Sequence, residues 1–139
     1  MTQNGALTLA DVRAACAAAL APVAESDPAV LPDLVDAVEP PALMLEWNDP
    51  WIAVRSIAGG LGLYDAQLNV LCLAGRVEPG PGVAMLEQLV AYTFARLQAD
   101  PHPWPLTMSQ APRVFDIGGI PLLGARLGFR VPIQIGGST

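Results

Sequence analysis

The sequence has no lysine, a single histidine (His102) and two cysteines (Cys16 and Cys72). Without lysine, a P-loop phosphate cradle and a Schiff-base mechanism are both excluded. Gly59-Gly60-Leu61-Gly62 therefore reads as a flexible loop, and it does not match the dinucleotide fingerprint either. Cys16, Cys72 and His102 are scattered, with none of the short pairings that zinc sites use, so neither metal nor cofactor is expected. Ser26, Ser56, Ser109 and Ser138 lie in no recognisable nucleophile elbow, and His102, between two prolines, reads as a linker residue. Asp65 with Asp116 is the one carboxylate pair that strands could bring together, and nothing else marks a substrate pocket. The expectation is a protein without catalytic residues.

Charge is also scarce. Charged residues make up 14% of the chain and hydrophobic residues 53%, whereas an ordinary soluble domain is about 25% charged. A single domain of 139 residues buries only about two-thirds of its unfolded surface, so the surplus apolar surface must face a membrane or a partner. Length argues against the membrane. A spanning helix needs about 20 apolar residues, and the longest charge-free stretches are 14–24 and 101–112, the second broken by four prolines. Met1-Thr2-Gln3-Asn4 offers no basic region or apolar run for a secretory signal. Synthesis in the cytosol is expected, with the two cysteines as small buried hydrophobes and the spare apolar surface turned toward other copies of the chain.

The charge that exists is uneven. Residues 1–50 hold eight acids (Asp11, Glu25, Asp27, Asp33, Asp36, Glu39, Glu46, Asp49) against Arg13, whereas residues 51–139 hold five acids against six arginines. A solvated acidic region is one reading. The other is an acidic edge of one subunit meeting an arginine-bearing edge of the next, as in a head-to-tail ring. A basic stripe for gripping nucleic acid is missing.

Thr8-Leu9-Ala10-Asp11 resembles a capping box and predicts a helix to about Ala21, ended by Pro22. Residues 22–41, rich in proline and acid, are expected to be a long loop; 42–47 form a first strand, and 48–62, opened by Asn48-Asp49-Pro50, a second long loop. Alternation over 63–74 predicts a strand with Tyr64, Ala66, Leu68, Val70 and Cys72 on one face and Asp65, Gln67 and Asn69 on the other. Leu86, Leu89, Val90, Thr93, Phe94 and Leu97 mark the main helix over 83–99. A strand ending near Asp116-Ile117 turns at Gly118-Gly119 into the last one, where Leu127, Phe129, Val131, Ile133 and Ile135 oppose Arg126, Gly128, Arg130, Pro132 and Gln134. Pro121 and Pro132 favour an edge position for it. The predicted fold class is α+β: a mostly antiparallel β-sheet with an N-terminal helix and one main central helix packed on one face.

Several segments between residues 41 and 135 resemble the tail-terminator (neck) proteins of long-tailed phages. They are Pro41-Ala42-Leu43, Asn48-Asp49-Pro50-Trp51, Leu71-Cys72-Leu73-Ala74-Gly75-Arg76 and Glu87-Gln88-Leu89-Val90, then Asp100-Pro101, Trp104-Pro105, Ala111-Pro112-Arg113, Ile117-Gly118-Gly119 and the alternating C-terminal strand. The resemblance implies one tail-terminator-like domain over residues 1–139 and a homo-oligomeric, hexameric ring in the virion neck. Such a ring caps the tail tube, stops its polymerisation and joins it to the head-completion (stopper) proteins, and DNA passes through its lumen without specific binding. Under this reading Trp51, Arg113, Arg126 and Arg130 are the candidate oligomer or partner interface, and reversing Arg126 and Arg130 together is expected to impair ring formation while leaving the fold intact. Another head–tail connector (a stopper or minor tail protein), a small cytosolic ligand-binding domain or enzyme, and an antitoxin-like regulatory partner stand beside it.

Overall fold

Thr8 opens the first helix as the capping pattern requires: its Oγ1 accepts from the Asp11 backbone N–H at 3.2 Å, and Asp11 occupies the first turn. The computed structural model describes residues 7–31, 39–58, 61–76 and 81–134. The elements are β1 (Leu7–Thr8), α1 (Leu9–Leu20), β2 (Ala29–Leu31), β3 (Ala42–Ala58), β4 (Leu61–Arg76), α2 (Pro81–Ala99), β5 (Leu106–Ser109), β6 (Arg113–Ile117) and β7 (Ile120–Gln134). They form an α+β fold with one seven-stranded sheet, ordered β1-β7-β4-β3-β2, while β5 and β6 pair with the same strand, β7.

The sheet is antiparallel except at its two short margins, where β1 runs parallel to β7 and β2 parallel to β3. Both helices pack on one face. Val12, Cys16 and Leu20 of α1 and Leu86, Leu89 and Leu97 of α2 meet Ala66, Leu68, Val70 and Cys72 of β4 and Leu127, Phe129, Val131 and Ile133 of β7. These are the inward sets that period-two alternation assigns to β4 and β7. A smaller cluster of Met44, Leu71, Leu73 and Leu122 lies on the opposite face under Phe115 and Ile117. Arg96 ties the helices together, its Nε donating to Ala19 O (3.0 Å) and its Nη2 to Ala21 O (2.8 Å), which satisfies carbonyls at the α1 C-terminus.

The expected loop over 48–62 is instead strand on both sides of its tip. β3 continues to Ala58 and β4 begins at Leu61; Gly59 and Gly60 between them lie outside the described residues. The turn-forming residues Asn48, Asp49 and Pro50 are absorbed in a bulge. Register passes from Trp47↔Leu68 to Ile52↔Ala66, and Gln67 Nε2 donates to Pro50 O at 2.7 Å across it. Within the other expected loop, 22–41, residues Ala29–Leu31 form β2, and 32–38 lie outside the described residues.

The last strand is interior, not an edge. β4 flanks β7 on one side, and β6, β5 and β1 succeed one another on the other. Its prolines are tolerated because each faces a break in its partners. Arg130 N donates to Pro105 O and Gln110 N to Arg126 O, so even-numbered residues here direct their backbone groups away from β4. Pro132 shares that parity and falls in the step between the end of β5 and the start of β1. Pro121 is paired with Asp116 next to the closing Ile117↔Ile120 pair, beyond the last β4 pairing at Leu122. Gly118 and Gly119 make that turn with φ of 60° and 84°, the left-handed backbone a two-residue hairpin requires.

Cys16 and Cys72 are free and fully buried, as small hydrophobes. Burial pushes the Cys16 thiol up to about 12 and the Cys72 thiol up to about 11, from an ordinary 9.0. A thiol whose folded pKa is raised binds its proton more tightly in the native state. Stability is therefore full below pH 9 and should fall as the pH rises through 11 to 12. The native protein should not react with a thiol reagent at pH 8, and two thiols per chain should react once denaturant is added. Rapid titration of the native state would place a cysteine at the surface instead.

Candidate interface surface

The face of the sheet opposite the helices carries a polar stripe across β3, β4 and β7, and two of the four candidate residues lie in it. Arg126 Nε donates to Glu46 Oε2 at 2.6 Å, reaching from β7 over β4 to β3. Its Nη1 donates to Gln110 Oε1 at 3.2 Å, and its guanidinium lies 5.1 Å from the centre of the Phe115 ring. Arg130 Nε donates to Asp65 Oδ2 at 2.8 Å. The side chains of Glu46 and Asp65 are 17% and 7% exposed, so these pairs are partly withdrawn from water and act as cross-strand staples. Asn69 sits between them, its Nδ2 donating to Glu46 Oε2 at 3.3 Å. Its buried Oδ1 has no hydrogen-bond partner and faces the bare Cα of Gly128.

This pairing corrects the expectation that reversing Arg126 and Arg130 leaves the fold intact. Each new carboxylate would sit against Glu46 or Asp65, so the monomer itself would be destabilised. Sequence reasoning missed Glu46 as a partner. The outward parity of Asp65, Gln67, Asn69, Arg126 and Arg130 was legible, but the register that brings Arg126 within reach of a carboxylate two strands away was not.

The other two candidates are placed apart. Trp51 lies in the β3 bulge, 45% exposed, with its ring edge-on to Trp47 at 5.5 Å. Arg113 opens β6 and is exposed. Its guanidinium has no hydrogen bond or ion pair among the described residues, whereas Arg13, Arg96, Arg126 and Arg130 are all engaged.

The groups considered for chemistry do not converge. Asp65 is opposite Pro132 and Asp116 opposite Pro121, which sets them roughly 36 Å apart along β7 at about 3.3 Å per residue. Asp116 Oδ1 accepts from Gly119 N at 2.8 Å and serves the turn. His102 is no bland linker: Asp100 Oδ2 accepts from its backbone N (3.0 Å) and from Trp104 Nε1 (2.9 Å), and lies 3.1 Å from its Nδ1. Burial pushes the Asp100 carboxyl up, but the bonds from Trp104 and His102 outweigh it and hold it below its ordinary value. The trio borders a cleft of about 410 Å³ with Phe94, Leu97 and Phe129. Among the described residues no group of three potential metal-ligating side chains occurs, and no helix is long and apolar enough to cross a membrane.

These features define the chain as an α+β domain with a stapled polar face and apolar side chains distributed over its surface. No protein-family model matches the sequence, and no curated protein matches it.

Proposed function

We propose that the chain is a ring-forming structural subunit of the phage tail-terminator type, without a catalytic role. In this role it caps the head-proximal end of the tail tube, stops its polymerisation and presents the joint to the head-completion proteins. The observation that carries the reading is where the exposed apolar side chains lie. Trp51 and Val54 are on β3, Val83 and Met85 on α2, and Leu106, Val114 and Ile120 on β5, β6 and β7, each between 37% and 56% exposed. A simple dimer covers one surface, whereas a ring subunit between tube and head covers several. The net charge of −6 suits a lumen through which DNA slides, because DNA affinity grows with each phosphate neutralised.

Light scattering and negative-stain images of the purified protein, with and without tail tubes, test this. The expected result is closed rings of about six copies, alone or on tube ends. A monomer that ignores tubes refutes the reading. The rival, a small ligand-binding domain, is favoured by the cleft beside Asp100, His102 and Trp104, and it expects a monomer or dimer under all of these conditions.

A further inference from the structure

The chain leaves α2 through Asp100-Pro101-His102-Pro103-Trp104-Pro105, where three prolines hold φ at about −65° at every second residue. This stiff segment borders the cleft of about 410 Å³, whose lining is completed by Phe94 and Leu97 of α2, Leu106 of β5 and Phe129 of β7. Sites for small molecules usually occupy about 300–1,000 Å³ and combine apolar walls with a few polar groups. Aromatic rings dominate the apolar part here, and the Trp104 ring stands edge-on to that of His102 with 6.4 Å between centres.

The polar part is unevenly satisfied. All three bonds to the Asp100 carboxylate end on one oxygen, Oδ2. Oδ1 has no partner among the described residues, although the side chain is only 15% exposed. The carboxyl is held below its ordinary value, so it is ionised and can only accept. His102 Nδ1 therefore carries the proton it shares with Oδ2, which leaves Nε2 of the neutral ring as a second acceptor without a partner among the described residues. No arginine is placed to fill this demand. Arg96 is spent on the carbonyls of Ala19 and Ala21, and Arg126 and Arg130 are stapled to Glu46 and Asp65. The strand position of Arg76 is opposite Leu122, roughly 23 Å along β7 from Phe129. Arg55 belongs to β3, with β4 between that strand and β7.

We propose that this cleft binds a small organic cation: an amidinium, guanidinium or primary ammonium group carried on a flat apolar body. The charged head donates to Asp100 Oδ1 and His102 Nε2, and the body lies against Trp104 and Phe94. A planar head suits the site best, because it sets donors on two nitrogens in one plane and its face stacks on an aromatic ring. A neutral ligand of the same shape would leave the carboxylate desolvated and unpaired, so the site should reject it. This inference stands apart from the ring reading, and the failure of either leaves the other untouched.

Benzamidine and benzamide, alike in shape but different in charge, are the probes, added to the full chain at pH 8 and followed by calorimetry and by the Trp104 indole N–H resonance. One benzamidine should bind per chain and shift that resonance, with an affinity about tenfold or more above that of benzamide. Asp100→Asn, checked for native circular dichroism, should lose the preference for the charged probe. Leu106→Arg changes a 43% exposed position on the cleft and supplies a competing cation, so it should weaken benzamidine about tenfold. The comparison of the two probes on the wild-type chain needs no variant and decides the matter if Asp100→Asn does not fold. No benzamidine binding at about 10 mM, or equal binding of benzamide, overturns the inference. So does a folded Asp100→Asn or Leu106→Arg variant that binds benzamidine as wild type does. N-acetylarginine amide binding more tightly than benzamidine would also overturn it, by assigning the cleft to an arginine of a partner protein.

Discussion

Phe129→Ala should lower the free energy of unfolding by about 3–5 kcal/mol, the usual result of emptying a large aromatic site in a core. Phe129 is 2% exposed and stands midway along β7, opposite Leu68 of β4 on one side and Leu106 of β5 on the other. It belongs to the cluster under both helices, so nearby side chains cannot collapse into the space without moving α2 or the sheet. For a domain whose total stability is about 5–15 kcal/mol, this removes a large share. Chemical denaturation should show the midpoint falling with an unchanged slope. A loss below about 1 kcal/mol, the scale of an ordinary exposed-site substitution, would mean that β7 is not the central strand.

Arg126→Glu should destabilise the chain by about 2–3 kcal/mol, and Arg126→Glu combined with Glu46→Arg should recover at least half of that loss. Three contacts disappear in the single variant: the 2.6 Å bond to Glu46, the bond to Gln110 and the stacking on Phe115. A second carboxylate is then held against Glu46 beside the unpartnered Asn69 oxygen. The Arg126 side chain is 25% exposed and that of Glu46 17%, so screening keeps the loss below that of a fully buried pair. The swapped variant preserves the pair but not the contacts with Gln110 and Phe115, and recovery is therefore partial. If the single variant is as stable as wild type, the staple from β7 to β3 does not hold the sheet.

Local chemistry was legible wherever it acts within a few residues. The Thr8 cap, the buried stripe of α2 and the Gly118-Gly119 hairpin all follow from residue type and spacing, because each depends on bonds or contacts no more than a few positions apart. The alternation of β4 and β7 also separated the helix-facing side from the polar side. Long-range information was not legible. Asn48-Asp49-Pro50 has the composition of a turn, yet the ladder between β3 and β4 continues past it, because pairing on both sides of the bulge outweighs the local preference. Pro121 and Pro132 pointed to an edge, since sequence cannot reveal that the partners on one flank of β7 change along its length.

The candidate interface divides in the same way. Arg113, Arg126 and Arg130 look alike in the sequence, as arginines on or beside alternating strands. In the structure two are stapled to Glu46 and Asp65, and Arg113 alone remains unengaged. The sequence by itself determined the fold class, the face of each main strand that is buried, the burial of the cysteines and the shortage of charge, since these depend on composition and short periodicities. Only the tertiary structure decided the strand order and the register that pairs Arg126 with Glu46. Those depend on which segments, tens of residues apart, are hydrogen-bonded side by side, and no local pattern encodes that.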